Sequence, residues 1–378
     1  MDLKEFKPGV WVQGNGHRYF LPEPVNHGWT LSDPATVKAL ESASLRLGEL
    51  NSLAKFVPDV DLFIQSYVMK EAVTSSRIEG TKTDMEEAFT DEADVHPERR
   101  NDWHETQQYR KAMNFAVAEL ERLPVSNRLL RSVHKVLLSQ ARGKHKNPGE
   151  FRTTQNWIGG TSLSDAAFVP PAAHHLGALL GDLEKFLNDR EMPVPHLVRI
   201  AIAHYQFETI HPFLDGNGRV GRVLIPLHLV SVGVLEKPLL YVSAFFERHK
   251  ALYYDKLTFV RERGDLAGWV AFFLRAVEET SAEALKSLRE ILGLKKRLSE
   301  GALATIGKRS ASANVLLDAL FRKPVISVAK AAQAVGLSVK AANDLVAEFE
   351  RLGILSEITG NKRNRLFAFW EYMKILKK

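Results

Sequence analysis

The sequence predicts a mainly α-helical protein with one β-hairpin flap in its core and a C-terminal winged helix-turn-helix domain. Three observations carry this expectation. Apolar residues recur at three- and four-residue spacings over most of residues 33–298, the period of one helix face. One interval, 149–171 (GEFRTTQNWIGGTSLSDAAFVPP), breaks that rhythm with glycine, threonine and proline and a short β-like run at each end. From Ser310 the pattern reads helix, helix, turn, helix and two strand-like runs, the winged-helix order.

The first thirty residues scatter Gly14, Gly16, Pro22, Pro24 and Gly28 among aromatics and read as hairpin and loop. Asp33-Pro34 then supplies an N-cap and a first-turn proline. Helical periodicity follows in Leu40–Leu53, Leu62–Ile78, Tyr109–Leu120, Leu129–Leu138, Leu176–Leu187 and Leu197–Ile210. In the irregular interval, extended pieces around Gly159-Gly160 and Ser164-Asp165 fit a hairpin-like flap. Trp269–Leu298 reads as one long helix kinked near Gly293, with Gly301–Gly307 as a linker. In the tail, Val315, Leu316 and Leu320 mark one helix and Val328–Val335, stopped by Gly336, a second. Ser338 caps a third that runs to Leu352, and the runs Ile354–Ile358 and Leu366–Phe369 flank a basic wing.

Composition narrows the chemistry. The chain has 378 residues and no cysteine, which excludes disulfides, thiolate metal sites and cysteine nucleophiles. Its net charge of +6 is uneven: residues 302–378 carry 13 Lys/Arg against 6 Asp/Glu, so the basic excess sits in the tail. The start MDLKEFKPGVWVQ lacks a basic region followed by an apolar stretch, and the most apolar window, around Leu224–Leu235, falls short of the ~20 residues that span a bilayer. A cytoplasmic protein without membrane partners is expected. Among His174, His175, His204 and His211 no two stand at i, i+4 with a catalytic glutamate beside them, which argues against a zinc hydrolase.

Chemistry concentrates between two helical stretches, Ala201–Ile210 and Val220–Val232. There Pro212 and Gly216-Asn217-Gly218 stop the first helix and permit the positive φ of a tight turn. The loop ends at a helix start, where unpaired N–H groups and the helix dipole favour an anion such as phosphate. Arg219 and Arg222, three residues apart, can lie on one face and clamp phosphate oxygens. Asp215 is a hard oxygen ligand suited to Mg²⁺. His211 supplies a group able to take a proton from an incoming hydroxyl. Each residue alone has a structural explanation; their conjunction within twelve residues favours function.

This segment, His211–Arg222 (HPFLDGNGRVGR), resembles the signature of the Fic family, H-P-F-x-[D/E]-G-N-G-R-x-x-R, and matches it at every specified position. Gly149–Arg152, Gln155–Gly160 and Phe168–Pro171 look like that family's flap region, so the resemblance runs from about Leu53 to Leu298. It implies a Fic helical core over residues 101–300 and an N-terminal segment over 1–100; outside the family region, the order of elements in the tail gives a winged-helix domain over 308–378. It also implies transfer of AMP from ATP, with Mg²⁺, to a hydroxyl side chain of a target protein, releasing pyrophosphate. On that likeness His211 is the base, Asp215 the metal ligand, Gly216, Asn217 and Gly218 the anion cradle, and Arg219 and Arg222 the triphosphate clamp. Asn156, Trp157, Ile158 and Gly159 lie in the flap that would hold the target in extended form. Tyr254 would lie near the adenine. Before Gly264 the chain reads Val260-Arg-Glu-Arg263, where many relatives place an asparagine for the base.

Upstream, Ser75-x-x-x-Glu79-Gly80 closes a helix. A glutamate in a last helical turn opposes the dipole and asks for a cation. The motif resembles the inhibitory helix of many Fic proteins, here at about residues 61–80. That likeness implies that Glu79 pairs with Arg222, denies the γ-phosphate its place, and in a reverse reaction orients a water that removes AMP.

Lys340, Lys362, Arg363 and Arg365 in the tail suggest DNA binding, while winged helices serve equally as protein-docking or homodimerisation modules. Two readings of function follow. One is a restrained AMP transferase; the other is a DNA-binding transcriptional regulator that uses the Fic core as a nucleotide sensor. Within the enzyme class, transfer of another phosphate-containing group stays open.

Overall fold

The computed structural model describes residues 1–378 except Asn15, Phe56, Pro58, Asp59 and Ala141 and the side chains of Leu62, Arg142, Lys144 and Lys308. Strands β1 (Gly9–Gln13) and β2 (Arg18–Pro22) pair antiparallel with Trp11 opposite Phe20. The α1 helix (Pro34–Lys55) starts where the Asp33 carboxylate accepts from Thr36 N–H at 2.9 Å. Next come α2 (Val60–Ile78), the short α3 (Met85–Phe89), α4 (Arg100–Glu119) and α5 (Asn127–Leu138). Helices α6 (Leu176–Asn188), α7 (His196–Ile210) and α8 (Asn217–Ser231) complete the centre. After them run α9 (Ser243–Arg248), α10 (Lys250–Arg263) and α11 (Leu266–Arg297).

Helix α7 is the axis of the core, since every residue from Leu197 to Ile210 is buried. It packs on α6, α8 and α11, α2 packs on α4 and α9, and α1 runs against α11. A central position encloses a helix on all sides, and Arg199, His204, Gln206 and Glu208 of α7 are buried along with its apolar residues. The loop after α7 is therefore anchored at both ends by the best-packed helices of the molecule.

Several expectations change in detail. The flap between 149 and 171 contains a single bridge, Ile158 with Phe168, rather than two strands. Its tip is closed by the Asp165 carboxylate, which accepts from the backbone and hydroxyl groups of Thr161 and Ser162. Helix α11 runs unbroken through Gly293. In place of a linker, a π turn (Leu298–Ala302) and a 3₁₀ turn (Leu303–Arg309) carry the chain on, and it bends at Gly307, φ 67° and ψ −129°. Leu298 and Leu303 are buried, so this connection packs rather than floats.

The tail contains α12 (Ser310–Arg322), β3 (Val325–Ser327), α13 (Val328–Val335), α14 (Val339–Arg351), β4 (Ser356–Glu357), β5 (Leu366–Ala368) and α15 (Trp370–Lys377). The strands form one antiparallel sheet in the order β3-β5-β4. Gly336 ends α13 at φ 72° and Ser338 caps α14, as the sequence predicts. Helix α15 and strand β3 are additions. Tyr372 and Met373 of α15 are fully buried, and α12 and α15 both pack on α2.

Candidate active site

The loop between α7 and α8 is held by residues far away in sequence. His211 ends α7 in the left-handed region, φ 49° and ψ 59°, a conformation that costs a non-glycine residue about 1 kcal/mol or more. Its carbonyl accepts from Arg152 Nε at 3.0 Å and Asn156 Nδ2 at 3.1 Å. Arg152, 3% exposed, also donates to the carbonyls of Thr154, Pro171 and Ile210, so one buried guanidinium gathers the loop, the flap and the end of α7. Burial lowers its pKa to about 10. Asn156 donates a second bond to Phe213 O at 2.9 Å; its amide is turned inward to hold the loop rather than outward toward a target. Trp157 beside it is 40% exposed.

A second clamp comes from α5. His134 stacks on Phe213 with ring centroids 3.8 Å apart. Its Nδ1 accepts from Gly149 N–H at 2.8 Å, so Nε2 carries the proton and donates to Asp215 O at 3.0 Å. Asn217 closes the turn, its amide bonded both ways to the Phe213 backbone at 2.8 Å. Neither Arg152 nor His134 announces its role by a local pattern, because the bonds by which they hold the loop and the flap to it cross 15 to 81 residues of chain.

With the loop fixed, the reactive groups are placed. His211 Nδ1 lies 3.3 Å from Glu208 O, a carbonyl that only accepts, so this nitrogen carries the hydrogen and Nε2 keeps its lone pair. Burial lowers the His211 pKa to about 4, which leaves the imidazole neutral and able to act as a base near pH 7. Glu208 is buried, its Oε1 lacks a hydrogen-bond partner among the described residues, and burial raises its pKa to about 7.

Helix α8 begins at Gly216, φ 77°, with no side chain capping its N-terminus. A Cβ placed on Gly218 would lie 2.4 Å from Glu79 Oε1 and 3.0 Å from Arg222 Nη1. The Glu79 carboxylate thus rests against the glycine that leaves room for an anion. Arg222, 1% exposed, donates to Glu79 Oε1 at 2.6 Å, to Ser75 Oγ at 2.8 Å and to Ser75 O at 3.0 Å. Burial opposes ionisation of Glu79, but Arg222 outweighs it and holds the carboxyl below its usual pKa. Lys250 Nζ donates to Ile78 O at 2.6 Å and supplies a second cation at the C-terminus of α2.

Arg219 points elsewhere. It reaches Glu105 on α4 at 3.2 Å and Asp215 at 3.4 Å, so the two arginines leave α8 toward different neighbours. The Asp215 side chain is 41% exposed, and its Oδ1 accepts from Gly216 N–H at 2.6 Å besides meeting Arg219. A single accessible carboxylate suits Mg²⁺, which keeps most of its waters and takes substrate phosphates as further ligands. No cluster of three or more metal-ligating side chains occurs among the described residues. Tyr254 is 42% exposed, whereas its neighbour Tyr253 is buried and donates to His204 Nε2 at 2.9 Å. Arg261, in the stretch before Gly264, lies 4.1 Å over the Phe168 ring of the flap.

A neutral base beside a glycine-lined helix start, with arginines and one open carboxylate, is an arrangement suited to an anionic ligand, on a helical scaffold. Residues 37–118 match the Fic/DOC family N-terminal region and residues 124–229 the Fic/DOC family domain, and the chain belongs to that family. It is 36% identical over 134 residues to a protein adenylyltransferase Fic of Culex quinquefasciatus, covering 35% of this chain and 24% of that one. It is 32% identical over 174 residues to the protein of the same name in Drosophila grimshawi, covering 45% and 32%. The chain thus spans about a quarter to a third of these curated relatives. In fold it is similar to a Fic family protein from Desulfovibrio desulfuricans G20, with a TM-score of 0.56 at 20% identity over 91% of this chain and 98% of the other. Fic-1 from C. elegans gives 0.51 at 21% identity over 68% and 73%.

Proposed function

We propose that this chain is a protein adenylyltransferase held in check by its own Glu79. The target hydroxyl oxygen attacks the α-phosphorus of ATP, its proton passes to His211 Nε2, and the bond to the β-phosphate breaks to release pyrophosphate. The N-terminus of α8, with Gly216, Asn217 and Gly218, receives the phosphates, and Arg219 and Arg222 neutralise them. Asp215 would hold Mg²⁺, which supplies charge neutralisation on the phosphates when bound. The flap with Trp157, Ile158 and Gly159 presents the target segment, and Tyr254 borders the base.

The observation that carries the reading is the Glu79–Arg222 pair at 2.6 Å, seated against Gly218. A carboxylate there takes both the space and the guanidinium that a terminal phosphate needs. The same carboxylate, close to the loop, suits removal of AMP by an oriented water. ATP use favours a cytoplasmic setting, and no helix among the described residues is long and apolar enough to cross a membrane.

We read residues 308–378 as a winged-helix module for regulation or docking. The DNA-regulator reading loses support at α14, whose cations share the helix with Asp344, Glu348 and Glu350. Arg351 is paired to Glu348. That balance suits a protein partner, a homodimer contact included, better than a phosphate backbone.

Incubation of wild type, Glu79→Gly and His211→Ala with α-labelled ATP and Mg²⁺, followed by mass mapping, tests the proposal. Labelling should rise severalfold in Glu79→Gly and vanish in His211→Ala. Equal labelling of all three would sink it.

A further inference from the structure

A second cavity lies away from the α7–α8 loop, where the tail meets the core. It is a cleft of about 280 Å³, open to solvent, walled by α2, α4, the segment after α3 and the end of α12. That size lies near the lower end for a small-ligand site. Helix α4 contributes Trp103, His104, Gln107, Arg110 and Lys111, spaced so that they share one face.

The charges in the cleft do not balance. Arg110, Lys111, Arg322 and Lys323 face two carboxylates, Asp91 and Glu92. Asp91 already takes Lys323 at 2.5 Å and Glu92 takes His104 at 3.2 Å. Arg110, Lys111 and Arg322 have no ion-pair partner among the described residues. Arg110 is also partly desolvated: its Nε is buried without an acceptor, and burial pulls its pKa below the usual value. The Trp103 indole N–H in the same wall is likewise buried and unaccepted. Buried donors without partners cost stability and call for an acceptor.

We propose that this cleft binds a small phosphate ester bearing a ring, of the class of a nucleoside monophosphate. Its phosphate accepts from the Arg110 guanidinium and lies between Lys111 and Arg322; its ring rests against Trp103 and His104, whose rings stand 5.2 Å apart. The ligand bridges α4 to the end of α12, and so ties the tail to the helix that carries Glu105, the partner of Arg219. It is a site separate from His211 and Arg222.

Calorimetric titration of the full chain with AMP at low ionic strength tests this, using three variants. Arg110→Gln removes the buried donor, Arg322→Ala removes the exposed tail cation without touching packing, and Arg219→Ala disables the α7–α8 site. Binding that weakens tenfold or more in Arg110→Gln and Arg322→Ala, and persists in Arg219→Ala, is the expected result. Any other pattern overturns the proposal, whether loss in Arg219→Ala alone or no binding to wild type at millimolar AMP.

Discussion

Arg222 is the residue on which the two states of the site turn. Its guanidinium has three bonds to α2 and the residue that follows it, two of them to Ser75 and one to Glu79, and all must be rearranged before it can serve a phosphate. Ser75 Oγ at 2.8 Å accepts from Nε and fixes the plane in which the other nitrogens meet Glu79. Ser75→Ala removes one acceptor and leaves the ion pair, so it weakens the restraint by the worth of a hydrogen bond to a charged group, about 1.5–3 kcal/mol at most. Basal AMP labelling of Ser75→Ala should therefore lie above wild type and below Glu79→Gly. Labelling at the wild-type level would show that Glu79 alone sets the orientation of Arg222. The residues of this lock were legible because each motif is local: HPFLDGNGRVGR and Ser75-x-x-x-Glu79-Gly80 both carry their chemistry within a dozen residues. Arg152, His134 and Glu105 were not, because a buried arginine gathering carbonyls 58 and 59 residues away leaves no periodicity to read.

At the scale of elements, α2 is both lock and hinge plate, with Glu79 at one end and the tail against its middle. Ser66 Oγ donates to Phe321 O at 3.1 Å, and the Phe63 and Phe321 rings meet at 6.0 Å. Phe321, fully buried, also packs on Phe369 and Tyr372 at 5.5 and 4.9 Å, which joins α12 and α15 into one platform beneath α2. Helical periodicity revealed α2 and α12 separately, but nothing in the sequence says that they touch. The same limit hid α15, whose apolar residues make sense only against that platform, and the packed turns at 298–309 that replace the expected linker. Phe321→Ala leaves a cavity worth about 3–5 kcal/mol and removes a support of α2. Urea unfolding should show that loss, and basal AMP labelling should rise toward the Glu79→Gly level without passing it. A stability loss with unchanged labelling would make the platform structural only.

Over the whole molecule, buried titratable groups pull stability in opposite directions with pH. Burial lowers His134 and His211 to about 4 and His204 and His228 to about 3, while it raises Glu208 to about 7 and moves Glu71 and Glu105 upward. For each histidine the unfolded chain takes up a proton near pH 6.5 and the folded chain does not until far lower, so stability is lost as pH falls below 6.5. For each of these glutamates the folded chain keeps a proton that the unfolded chain releases near 4.5, so stability is lost as pH rises above that value. The two sets offset between pH 4.5 and 6.5, and the wild-type curve alone cannot separate them. His228 isolates one term. It is fully buried in α8, and neither ring nitrogen has a hydrogen-bond partner among the described residues. His228→Leu removes a group that resists protonation while keeping apolar volume. Relative to wild type, the variant should gain about 1.4 kcal/mol per pH unit on going from pH 6 to pH 5, read from urea midpoints at each pH. A constant difference between the two proteins across that range would mean that His228 is protonated in the folded state, and that a solvent path reaches the core between α7 and α8.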